Sequence, residues 1–129
     1  MNRTWKAVLF VCALVSVSAV STQGPGLNRV MRKKLTTSQK ILEAVVTSNW
    51  ISLEAQSKDL EALTNEPGWM VLKAPEYAQQ SATFRQAVRA LREAAVQRDL
   101  EATPQAYVTV TLSCVQCHRY LARNRLARE

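Results

Sequence analysis

Three glycines and four prolines in 129 residues leave too few turn-makers for a many-stranded sandwich or barrel. Where they occur, they cluster at boundaries: Gly24-Pro25-Gly26, Pro67-Gly68, Pro75 and Pro104. Asn65-Glu66-Pro67-Gly68 is the clearest break after the first 27 residues. Between such breaks, apolar residues recur at steps of three and four, the period of a helix with one buried face. The only alternating stretch, Val108–Val110, is too short for a strand. The chain is therefore expected to be all-α.

Four helices follow from the spacing. Asn28 is expected to cap the first after a loop at Val20–Leu27, with Met31, Leu35, Ile41, Leu42, Val45 and Val46 turned inward. Ser48 or Asn49 would cap the second, whose inner set is Trp50, Ile51, Leu53, Ala55, Leu60, Ala62 and Leu63. A loop to about Pro75 carries Trp69, Met70, Val71 and Leu72, too apolar to stand free in water, and is expected to fold over one end of the core. The third helix runs from Pro75 or Glu76 to about Gln97, burying Tyr77, Phe84, Val88, Leu91 and Ala95. Arg85, Arg89, Arg92 and Glu93 fall mostly on its solvated side. Asp99 and Thr103 compete to start the fourth; Pro104 favours Thr103, because proline suits the first helical position. Short connections predict an antiparallel four-helix bundle.

The amino terminus reads as an export address. Arg3 and Lys6 precede an apolar run, Ala7–Val20, with small residues at Val17-Ser18-Ala19 for cleavage. The run is shorter than the roughly 20 residues that span a bilayer, although an uncleaved anchor is the alternative. Residues 1–20 are thus expected to be a signal peptide, and Cys12 leaves with it. Cleavage after Ala19 takes the 17 basic residues to 15 against 10 acidic, lowering the net charge from +7 to +5.

Two cysteines then remain, in Cys114-Val115-Gln116-Cys117-His118. In C-x-x-C-H the two thiols add to the two vinyl groups of haem, and the adjacent imidazole ligates iron. Cysteines three apart share a helix side, so the spacing suits the chemistry. Tyr107, Val110, Thr111, Cys114, Cys117, His118 and Leu121 form the stripe that would carry this site inward. A thioredoxin-like dithiol belongs at a helix N-terminus, whereas this pair lies deep in a helix. A structural zinc needs four ligands, and a local disulfide leaves the histidine without a role.

A secreted helical chain with its C-x-x-C-H near the C-terminus resembles the class II c-type cytochromes, cytochrome c′ and its c-556-like relatives. The resemblance spans Asn28 to about Arg123, is sharpest at Ser113–Tyr120, and assigns 28–129 to one cytochrome domain. It implies a bundle with one covalent haem c near the C-terminal helix. Cys114 and Cys117 would be the thioether anchors and His118 the proximal iron ligand. It implies that helix one covers the opposite face, with a methionine in low-spin members and an apolar residue in high-spin ones.

His118 is the only histidine, so two histidines of one chain cannot share the iron. Met31 is the expected sixth ligand from helix one; Met70 is the other thioether, and Leu35 is the distal residue if the iron is five-coordinate. Family members often place an arginine one turn before the distal residue; here Arg29 and Arg32 flank Met31 instead. The expected function is one-electron transfer in the periplasm with redox partner proteins, and the alternative is NO or CO binding at five-coordinate iron. A peroxidase is disfavoured for want of a distal histidine. Arg29, Arg32, Lys33 and Lys34, with Arg119, Arg123, Arg125 and Arg128, suit haem propionates or an acidic partner, and no basic stretch forms a nucleic-acid motif. Dimerisation through the first two helices is a further implication of the resemblance.

Overall fold

The structure, a computed structural model, describes residues 25–126 apart from residue 71. The expected signal peptide, residues 1–20, lies outside the described residues, as does Arg128. Four helices follow in order: α1 (Pro25–Val46), α2 (Trp50–Ala62), α3 (Pro75–Val96) and α4 (Ala102–Leu126), with a 3-10 turn at Leu63–Asn65. No strand occurs among the described residues. Each of α1, α2 and α3 packs closely on the next, and α3 packs closely on α4, whereas α1 and α4 touch sparsely. Among the described residues, no helix is long and apolar enough to cross a membrane.

The first helix begins three residues earlier than Asn28. Pro25 to Leu27 are already helical, so the expected loop ends sooner and Asn28 is not the cap. Proline tolerates the first turn, where its missing N–H would have had no partner. The inward stripe is also rotated from the expected one. Val30, Lys34, Ile41 and Ala44 are buried; Met31 and Val45 are half-buried; Leu35, Leu42 and Val46 are exposed. Apolar identity misled here because a lysine and an alanine occupy inward positions.

Asn49 caps α2, its side chain accepting from the Ser52 N–H at 3.1 Å. Leu53, Ser57 and Leu60 are the buried row, while Ile51, Ala55 and Ala62 face out, contrary to expectation. In α3, all five expected core residues are buried. Arg89 and Arg92 do not merely face solvent. They hold the two carboxylate oxygens of Glu61, each at 2.8 Å, and tie α3 to α2.

The helix ends after α1 and α3 share one design. Asn49 N–H donates to Ala44 O and Ser48 N–H to Val45 O; Asp99 N–H donates to Ala94 O and Arg98 N–H to Ala95 O. These are Schellman pairs, with Ser48 (φ 52°) and Arg98 (φ 54°) in the left-handed position that glycine usually fills. Thr103 is not the cap of α4. The Asp99 carboxylate accepts from the N–H groups of Glu101 and Ala102, at 2.9 and 2.8 Å, and α4 starts at Ala102. Starting there leaves Pro104 in the first turn, where its ring does little harm.

Of the apolar loop after the break, Trp69 enters the core, while Met70 and Leu72 remain on the surface. Trp69 donates from Nε1 to Ser81 Oγ at 3.1 Å, and Tyr77 Oη donates to the Trp69 carbonyl. Its ring lies 5.3 Å from Phe84, centroid to centroid. Trp69 is thereby the plug at one end of the core. Gly68 is required beside it: a Cβ there would come within 2.7 Å of the Gly26 carbonyl carbon and oxygen.

Candidate functional site

The motif sits on α4 about three turns past its start. Cys114 and Cys117, three residues apart, are free thiols and half-buried. Val110 is buried, and Tyr107, Cys114, Cys117 and Leu121 are half-buried, a stripe at steps of three, four, three and four. Thr111 and His118, expected on that stripe, are exposed beside it. A 100° step puts residue 118 at the border of the face that Cys114 and Cys117 define. The imidazole is thus at the rim of the site, on the same helix and adjacent to a thiol.

Across from the motif stands α1. Tyr107 Oη donates to the Ser38 carbonyl at 3.0 Å, which fixes the register of the two helices. One turn from Ser38 is Lys34, only 6% exposed. Its Nζ lies 3.7 Å from the Phe84 ring centroid and 4.8 Å from that of Trp69. Besides burial, the Cys114 and Cys117 side chains are what act on its ionisation. Met31, one further turn along α1, is half-buried and packed against the core. Met70 and Leu35, the other two expected distal residues, do not join this cluster by burial. Met70 is 48% exposed, and Leu35 is 62% exposed on the outer side of α1.

Burial governs the ionisation of the cluster. It pushes the Lys34 ammonium below its ordinary value, and the neighbouring cysteines oppose this only in part. It pushes the Cys117 thiol up, against the Lys34 charge, so Cys117 stays protonated at neutral pH. Partial desolvation and then the Lys34 charge lower the His118 pKa. A neutral imidazole is the form that ligates metals.

A thioredoxin-like dithiol sits at a helix N-terminus, whereas this pair lies about three turns into α4. Among the described residues, no group of three or more His, Cys, Asp and Glu converges to hold a metal ion. Cys114, Cys117 and His118 number three, one short of the four ligands of a structural zinc site. What they offer is two thiols able to form thioethers and one imidazole able to bind a metal from the side.

Sequence reasoning placed Lys34 in the basic group at the start of helix one, suited to haem propionates or an acidic partner, and missed that it is buried. The available signal was its spacing, four residues after Val30 and seven before Ile41, which puts it on the inward row. The rest of that cluster does face solvent. Arg29, Arg32, Lys33 and Lys40 line a groove between α1 and α2, together with Asp59 and Glu66, and Lys33 pairs with Glu66 at 2.7 Å.

No protein-family model, no curated protein and no solved structure matches this chain.

Proposed function

We propose that the protein is a periplasmic monohaem c-type cytochrome of the class II kind, an antiparallel four-helix bundle that carries one electron. The observation that carries this reading is the pair of free, half-buried thiols one turn apart on α4, followed at once by an imidazole.

The donor set fits covalently attached haem. Cys114 and Cys117 are present as thiols, which is the form that adds to two vinyl groups. His118 stands next to them with its basicity lowered toward the neutral, ligating form. The sparse contact between α1 and α4 leaves the thiols only half covered by protein. Trp69 and Phe84 are buried aromatic rings beside Lys34. Haem, when bound, supplies a one-electron iron couple whose potential depends on its axial donors and on burial.

The chain's own part is to anchor and orient. Cys114 and Cys117 hold the group to α4, and His118 presents an imidazole from the same helix. A second donor would come from the inward side of α1, where Met31 and Lys34 stand one turn apart. Electron transfer needs no substrate pocket, only an exposed edge near a partner. The basic groove at Arg29, Arg32, Lys33 and Lys40 lies on the same part of α1 and suits an acidic redox partner by charge steering. Arg119 and Arg123, which follow the motif, suit the propionates. Leu35, Leu42, Val46 and Ile51 leave an apolar surface on α1 and α2 that suits a homodimer.

Gas binding at five-coordinate iron is the competing function. It needs an inert residue opposite His118, and Leu35 is exposed while two Lewis bases face inward. Spectra of oxidised and reduced protein, followed by carbon monoxide addition, separate the two. A low-spin spectrum indifferent to carbon monoxide supports electron transfer; a high-spin spectrum with ready binding overturns it.

A further inference from the structure

Lys34 is a buried amine with no carboxylate within ion-pair distance among the described residues. Burying an unpaired ammonium is unfavourable, and contact with aromatic faces offsets only part of that cost. Snorkelling would place the head in water, as lysine does at surfaces; here it points inward, over the Trp69 and Phe84 rings, from the part of α1 that Tyr107 ties to α4. Side chains lean toward the N-terminus of their helix, so Lys34 reaches from its own turn toward the level of Met31. Met31 is half-buried, packed on the core, and shorter in reach. Of the two bases on the inward side of α1, the amine is therefore the one buried and directed into the core across from α4.

Resting on the cytochrome reading above, we propose that Lys34 Nζ, rather than the Met31 sulfur, is the donor opposite His118 in the haem-loaded protein. To bind, the ammonium gives its proton to solvent and the nitrogen lone pair goes to iron; no electron changes hands in that step. An amine is a harder base than a thioether and favours oxidised iron, so the potential lies below that of a Met/His pair in the same bundle.

The test uses the haem-loaded protein, its Met31→Leu and Lys34→Leu variants, and mass spectrometry of each. Visible, near-infrared and electron paramagnetic resonance spectra of the oxidised wild type should be low-spin and lack the sulfur-to-iron charge-transfer band. Met31→Leu should leave them unchanged, and Lys34→Leu should convert the low-spin signal to high-spin and admit carbon monoxide on reduction. A charge-transfer band in the wild type that Met31→Leu abolishes overturns the proposal, as does a high-spin wild type or an unaltered Lys34→Leu spectrum. Should Lys34→Leu fail to fold by circular dichroism, the wild type and Met31→Leu spectra decide alone. A chain of haem-free mass overturns this proposal and the cytochrome reading together, whereas ligation by Met31 overturns this proposal only.

Discussion

Lys34 Nζ sits 3.7 Å from the centre of the Phe84 ring, so a cation from α1 rests on an aromatic face from α3 inside the core. A desolvated contact of this kind is worth about 2 kcal/mol. A double-mutant cycle of Lys34→Leu and Phe84→Leu in the haem-free chain should show a coupling of about 1–2 kcal/mol by urea unfolding. Additivity within about 0.3 kcal/mol would show that the ring does not stabilise the ammonium.

Ser48 and Arg98 hold left-handed backbone at the ends of α1 and α3. Non-glycine residues pay roughly 1–2 kcal/mol there, offset partly by the entropy glycine loses on folding. Ser48→Gly and Arg98→Gly should each stabilise the chain by about 0.5–1 kcal/mol and should add, since they lie in separate turns. Chemical denaturation checks both, and a loss of stability at either site would contradict the Schellman assignment.

Gly68 faces the backbone of Gly26 at a distance no Cβ tolerates. Gly68→Ala should destabilise by about 1–3 kcal/mol, the range for forced repacking. Because that turn carries Trp69 into the core, the same variant should raise the exposure of Trp69 in quenching measurements. Wild-type stability and quenching in Gly68→Ala would refute the close approach.

The Asp99 carboxylate is held below its ordinary pKa, chiefly by the N–H groups of Ala102 and Glu101. A depressed folded-state pKa contributes stability that is present above the unfolded value and lost as pH falls through the folded one. Asp99→Ala should thus lower Tm at neutral pH, and the gap from wild type should close in acid, below the carboxylate range. A gap that persists unchanged at low pH would mean the charge is not what caps α4.

Most of the helical frame was legible because it is local. Asn49 as a cap, Pro75 at the first turn of α3, and the Tyr77–Ala95 inner face all follow from residue type and a 3.6-residue period. What was not legible depends on tertiary contact. The inward side of α1 was misread because Lys34 and Ala44 occupy core positions that apolar identity alone skips. Arg89 and Arg92 do stand on an exposed side of α3, but their pairing with Glu61 is not legible because Glu61 is on another helix. Pro104 points to Thr103 as the cap because proline suits the first helical position, yet proline also tolerates a later place in the first turn, and the Asp99 side chain reaches two N–H groups ahead of it. At the site, Cys114, Cys117 and His118 declare themselves by spacing. Which residue of α1 faces them is a packing question that spacing within α4 cannot answer.

The account stands on covalent haem. Intact-mass analysis of the chain purified after export, in a cell able to attach haem, measures this directly. The account predicts the polypeptide mass plus one haem, retained after acid–acetone extraction and lost when Cys114 and Cys117 are both replaced by serine. A purified chain of bare polypeptide mass, with Cys114 and Cys117 still open to thiol reagents, would contradict it.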